Sequence, residues 1–181
     1  MQVASILYND VANGPGLRCT VFMQGCCHFC KGCHSPHTWD FKDGETTDAE
    51  QLIDEIRLSF LDDAITWTGG DPVYQLLELV EVMEYFKDKK YDQIMYTGFT
   101  MEQLNAALNG EAVEMKPGLY LSQEHVRRAC ECCSYIVCDP FVLEERSLDL
   151  NFRGSRNQRI AKYVDGRLVD ATAEWDKLCA Q

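Results

Sequence analysis

The sequence predicts an α/β fold: a partial, open (β/α) barrel of about five to six mostly parallel strands, with flanking helices and a C-terminal hairpin. Three observations lead there. Short apolar runs at residues 2–8, 17–24, 64–68, 93–96 and 135–138 alternate with segments of helical period, and glycine-rich corners separate them. The 181 residues suit one domain, 1–181, but fall short of the roughly 250 of a complete eight-stranded barrel. Asp165-Gly166 is a favoured hairpin turn between residues 159–164 and 167–169.

Taken in order, residues 2–8 and 17–24 read as short buried strands joined by Asn13-Gly14-Pro15-Gly16. A cysteine-rich loop leaves the second at Gly25, beyond a strand's carboxyl end, where parallel α/β folds bind ligands. Thr47 or Asp48 can cap a helix with Ala49, Leu52, Ile53, Ile56 and Phe60 on one face. Ala64 to Thr68 is the next strand, and it ends in Gly69-Gly70-Asp71-Pro72. Pro72 suits the first turn of a helix whose buried stripe is Val73, Leu76, Leu77, Val80 and Met83. Gln93 to Tyr96, Thr97-Gly98 and a helix from about Thr100 to Leu108 repeat the unit, which stops near Asn109-Gly110. Such βαβ alternation makes right-handed crossovers and parallel strands the default. Residues 111–121 read as an excursion, 122–133 as a helix, and 172–181 as a short helix or tail. No repeat, linker or low-complexity segment points to a second domain.

Acidic residues outnumber basic ones 29 to 17, and the net charge of −12 repels phosphate backbones and anionic lipid. Neither nucleic acid nor membrane is an expected partner. No N-terminal run resembles a signal peptide and no apolar stretch can span a bilayer, so the expected location is cytoplasmic. Ten cysteines in that compartment should be thiols or metal ligands.

Cys26, Cys30 and Cys33 carry the chemistry. Their spacing forms a short loop around something compact, and thiolates are soft ligands suited to iron–sulfur clusters. A cubane usually takes four cysteines, so three leave one iron open. Spacing alone equally allows a structural zinc site completed by His34 or His37, in a non-enzymatic interaction module. Adjacent side chains rarely converge on one centre, which makes Cys27 a bystander. Gly69-Gly70-Asp71 by itself reads as a tight turn with Asp71 as helix cap. Cys130, Cys132, Cys133 and Cys138 would suit a second small metal site, or are ordinary core residues. Arg18, Arg153, Arg156 and Arg159 are each a partner for surface carboxylates or a fork for a cofactor carboxylate.

Cys-x3-Cys-x2-Cys resembles the cluster motif of radical S-adenosylmethionine enzymes, and Asn13-Gly14-Pro15-Gly16-Leu17-Arg18 resembles the opening segment of glycyl-radical activating enzymes. With Cys33-His34-Ser35-Pro36-His37-Thr38-Trp39-Asp40-Phe41, Gly69-Gly70-Asp71-Pro72, Tyr96-Thr97-Gly98 and Phe152-Arg153-Gly154-Ser155-Arg156-Asn157-Gln158-Arg159, the chain is similar to the activating proteins of anaerobic (class III) ribonucleotide reductases. The resemblance implies a [4Fe-4S] cluster on Cys26, Cys30 and Cys33, and S-adenosylmethionine held near Gly32, His34, Gly69, Gly70, Asp71, Thr97 and Gly98. It implies reductive cleavage of that cofactor and a radical that takes a Cα hydrogen from a glycine of the reductase large subunit. Flavodoxin or ferredoxin would donate the electron, and no catalytic residue beyond the cluster and cofactor is expected. The same resemblance leaves room for another glycyl-radical enzyme or a small molecule as substrate; activases of that kind often carry a cysteine-rich insert, and none follows Cys33. Two departures stand out. Gly32 occupies a position often aromatic in the wider group, and Cys138-Asp139 stands where Asp-Gly commonly precedes Pro-Phe.

Overall fold

A computed structural model describes residues 1–59 and 63–180. Its strands and helices run β1 (Gln2–Asp10), β2 (Arg18–Met23), β3 (Glu45–Thr46), α1 (Ala49–Ile56), β4 (Ala64–Gly69), α2 (Leu76–Asp88), β5 (Asp92–Tyr96), α3 (Met101–Leu108), β6 (Glu114–Lys116), β7 (Leu119–Tyr120), α4 (Gln123–Cys132), β8 (Tyr135–Cys138), β9 (Arg159–Val164), β10 (Arg167–Asp170) and α5 (Thr172–Leu178). Eight strands form one sheet in the order β10-β9-β8-β5-β4-β2-β1-β3. Pairing is parallel across β2, β4, β5 and β8, and antiparallel on both flanks.

The alternation of strand and helix therefore emerges as expected at the centre of the sheet, together with the C-terminal hairpin. The flanks differ from the expectation of five to six mostly parallel strands. β1 and β2 pair antiparallel because residues 11–17 are too few for a crossover, which needs about a dozen residues. Pairing runs from edge strand β3 to edge strand β10 without closing. The excursion at 111–121 is largely the separate β6–β7 hairpin.

Central strands are buried on both faces, so β2 and β4 bury Thr20 and Thr66 alongside Cys19, Val21, Ile65 and Trp67. Gln93 spans the layers, accepting from Trp67 Nε1 at 2.9 Å and donating to the Met83 carbonyl at 2.8 Å. Capping boxes begin α1 at Asp48 with Gln51 and α3 at Thr100 with Gln103. On α2 the buried stripe is Leu76, Leu79, Val80, Val82, Met83 and Phe86. Leu77, expected on that stripe, is 71 % exposed and instead lines a groove with Leu119 and Tyr120. One step along a helix turns about 100°, which carries it off the face held by Leu76. Phe60 and Gln181 lie outside the described residues. Trp175 of α5 is fully buried, so residues 172–178 are a docked helix.

Arg18 is 1 % exposed. Its Nε donates to Thr66 Oγ1 at 2.8 Å, Nη1 to Asp92 Oδ2 at 2.8 Å and the Pro15 carbonyl at 3.2 Å, and Nη2 to the carbonyls of Ile65 at 2.8 Å and Asp92 at 3.1 Å. All five N–H groups are thereby used, and Arg18 is a strut under the 13–16 turn with none left for a cofactor. Among the described residues no helix is long and apolar enough to cross a membrane.

Candidate functional site

The carboxyl ends of β2, β4 and β5 converge, and short backbone bonds tie their loops together. Gly70 N–H donates to the Met23 carbonyl at 2.8 Å and Asp71 N–H to the Gly25 carbonyl at 3.0 Å. Gly25 and Cys26 in turn donate to the carbonyls of Thr38 at 2.7 Å and Trp39 at 3.1 Å, closing the cysteine loop on itself. Gly69 makes this approach feasible: its φ is +97°, and a Cβ there would stand 2.5 Å from the Met23 nitrogen.

Asp71 is the knot of the site. At 1 % exposure its Oδ1 accepts from Val73 N–H at 2.9 Å, capping the turn at Pro72–Gln75. Its Oδ2 accepts from Thr97 Oγ1 at 2.9 Å and Gly98 N–H at 2.9 Å, and lies 2.8 Å from His28 Nε2. In the tautomer with a proton on Nε2 that contact is an N–H donated to the carboxylate. The imidazole lies directly on Gly98, where a Cβ would come within 2.5 Å of the ring.

A cavity of about 120 Å³ opens beside this knot, lined by Cys26, Cys30, Cys33, Gly69, Gly70, Thr97 and Gly98. A larger one of about 770 Å³ adjoins it, sharing Tyr96 and Phe141, and is lined by Gly32, His34, Asn13 and Arg153. Three thiols and the two glycine corners thus share one space, and Gly32 and His34 border the next. Asp71 lines neither cavity and its oxygens are already engaged. Cys27 lines neither. His28, Trp39, Asp139, Phe141 and Gln158 line the smaller cavity without having been singled out as site residues. The signals available were the position of His28 within the cysteine motif, the presence of Trp39 and Gln158 in the quoted segments, and the departure at Cys138-Asp139.

Burial pushes the Cys26 thiol up to about 12, with the Asp71 charge adding to the effect, and burial likewise raises Cys30. A bound metal's positive charge reverses this by stabilising thiolate, so loading the site must release protons. Among the described residues, no three His, Cys, Asp or Glu side chains gather closely enough for one metal ion. His34 borders only the larger cavity and His37 neither. Cys130, Cys132 and Cys138 are buried in the main core with Cys133 packed against it, which accounts for them as apolar filling.

The remaining arginines are also engaged. Arg159 forks onto Asp139 at 2.7 and 2.8 Å and Glu102 at 2.6 and 2.7 Å, holding Glu102 down to about 2. Arg156 is exposed and reaches Ser147 at 3.3 Å. Arg153 pairs with Asp176 at 2.6 and 2.8 Å on the wall of the larger cavity, and its buried Nε has no partner among the described residues.

The 4Fe-4S single cluster domain family matches residues 12–161. A relative from Escherichia coli (strain K12), named anaerobic ribonucleoside-triphosphate reductase-activating protein, is 30 % identical over 158 residues, which cover 82 % of this chain and 90 % of the relative. A Vibrio cholerae protein of the same name is 28 % identical over 164 residues, covering 86 % and 94 %. The crystal structure of QueE from Escherichia coli superposes with a TM-score of 0.47 at 19 % identity, covering 75 % of this chain and 68 % of that one.

Proposed function

The chain belongs to the 4Fe-4S single cluster domain family and to the anaerobic ribonucleoside-triphosphate reductase-activating proteins, and on that premise we propose that it is a radical S-adenosylmethionine enzyme that installs a glycyl radical on the reductase large subunit. The observation that carries this reading is the cavity lined by Cys26, Cys30 and Cys33 together with the Gly69-Gly70 and Thr97-Gly98 corners.

In this reading the three thiolates hold a [4Fe-4S] cluster and leave one iron without a protein ligand. When bound, the cluster and S-adenosylmethionine supply reductive cleavage to methionine and a 5′-deoxyadenosyl radical, which takes a Cα hydrogen from a glycine of the reductase. The protein's part is to bind, orient and exclude water. Backbone carbonyls at Gly69 and Gly70 would accept from the methionine ammonium, and Asp71 would act on that group by holding the corner in shape. Thr97 and Gly98 line the same space, and Gly32 and His34 border the larger cavity, whose size falls in the range of about 300–1,000 Å³ typical of small-ligand sites. No proton transfer from a side chain is required, so no acid–base pair is assigned.

The same reading takes the whole chain as one domain and its open sheet as a partial barrel, which admits a macromolecular substrate. It takes flavodoxin or ferredoxin as electron donor and the cytoplasm as location. The test is to reduce anaerobically purified, iron- and sulfide-loaded protein, add S-adenosylmethionine and the reductase from the same cell, and record electron paramagnetic resonance spectra. A glycyl-radical doublet is expected. Cofactor cleavage without that doublet on folded reductase would remove the substrate assignment, and absence of cleavage from loaded protein would overturn the enzyme reading.

A further inference from the structure

We propose that His28 is a positioning residue that fixes the cysteine loop and the glycine corner in one frame, through its Nε2 bond to Asp71. The inference rests on the cluster and S-adenosylmethionine reading above and adds to it a residue whose role is orientation.

His28 lies two residues from both Cys26 and Cys30, so holding its side chain constrains the backbone that presents both thiols. The 2.8 Å contact with Asp71 bridges 43 residues. Asp71 Oδ2 also takes the Thr97 hydroxyl and the Gly98 N–H, so one oxygen joins the cysteine loop, the β4 corner and the β5 corner. The imidazole is held from its other sides as well. It meets Phe99 edge-on with centroids 4.9 Å apart, meets Tyr74 at 5.7 Å, and lies on Gly98, where no side chain intervenes. A ring packed this tightly with a single directed bond to a buried carboxylate has little freedom to reorient. Thiols and corner carbonyls are thereby set at one separation before any ligand arrives, which lowers the ordering cost of binding across both.

The test uses full-length protein loaded anaerobically with iron and sulfide. His28→Phe keeps the aromatic contacts and removes the donor, whereas His28→Gln keeps a side-chain N–H donor and removes the ring. Each variant is assayed for iron and sulfide, then titrated with S-adenosylmethionine while the spectrum of the reduced cluster is followed by electron paramagnetic resonance. His28→Phe should retain the cluster and need about tenfold more cofactor, or beyond, for the half-maximal spectral change, as expected for a lost bond to a charged acceptor. His28→Gln should recover to within about threefold of the parent. Loss of the cluster in His28→Phe, with both cluster and affinity restored in His28→Gln, would equally support the proposal. A His28→Phe titration matching the parent would overturn it, as would loss of cluster in both variants or equal weakening in both. Absence of any spectral response in the parent protein is a separate result, and would strike the cofactor reading itself.

Discussion

Replacing Arg18 by Met separates a structural arginine from a cofactor-binding one. Arg18→Met keeps an unbranched side chain in a site 1 % exposed and removes five donors. The carbonyls of Pro15, Ile65 and Asp92 and the Thr66 hydroxyl each lose a partner. The ionic share is small, because the Asp92 side chain is 46 % exposed and solvent screens the pair. Lost buried hydrogen bonds dominate at about 1 kcal/mol or more each, partly offset by the sulfur and methylenes of Met. A net loss of about 3 kcal/mol is expected, equivalent to a Tm lower by roughly 6–12 °C at this chain length. Arg18→Lys offers three donors in place of five and should lose about half as much. The assay is urea denaturation of cluster-free protein under anaerobic, reducing conditions. A Met variant within about 0.5 kcal/mol of the parent would refute the strut. So would one that keeps its urea midpoint and loses only S-adenosylmethionine binding.

Cys26→Ala, Cys30→Ala and Cys33→Ala should each yield colourless protein without stoichiometric iron, whereas Cys27→Ala stays brown; the reverse pattern at 26 and 27 would shift the ligand assignment by one residue. Alkali should destabilise the cluster-free protein. Burial raises the thiols of Cys26 and Cys130 to about 12 and Cys132 to about 11, so above the unfolded thiol pKa of roughly 8.5 the native state holds more protons. Their stabilisation is complete below that pH and is lost as pH rises toward the folded values. Denaturant midpoints that stay flat between about pH 8.5 and 10.5 would contradict it.

Much of the centre of the fold was legible because its signals are local. The Asp48 and Thr100 caps, the glycine corners and the apolar runs of β4 and β5 all declare themselves within a few residues. The grouping of Cys26, Cys30 and Cys33 with Gly69-Gly70 and Thr97-Gly98 on one cavity also follows from strand ends that the alternation predicts. Asp71 was harder to read. Its cap on Val73 N–H is local and was expected, whereas the engagement of its other oxygen emerges only with the return of residues 28, 97 and 98. Arg18 was ambiguous for the same reason, since its acceptors come from β4 and β5. Asp139 shows the opposite case, in which a departure in sequence becomes intelligible in space. Its φ of +79° lies in the left-handed region, where the resemblance leads one to expect glycine, and a non-glycine residue there costs about 1–2 kcal/mol. The Arg159 fork and an N–H bond to the Phe99 carbonyl at 3.0 Å hold it there.

The bonds that join the cysteine loop to both corners bear on when the site comes into being. Residues 26–33 leave the ribosome well before 69–71 and 97–98, yet their geometry depends on Met23, Gly25 and His28 meeting partners 43 to 47 positions later in the chain. Until β4 and β5 have paired beside β2, the nascent loop is four thiols on a flexible tether, as able to oxidise or scavenge stray metal as to bind its own. In the proposed reading, the receptacle for the cluster is complete once the parallel centre of the sheet has assembled, and loading uses that assembled site. In that reading, the thiols must stay reduced until the site is loaded.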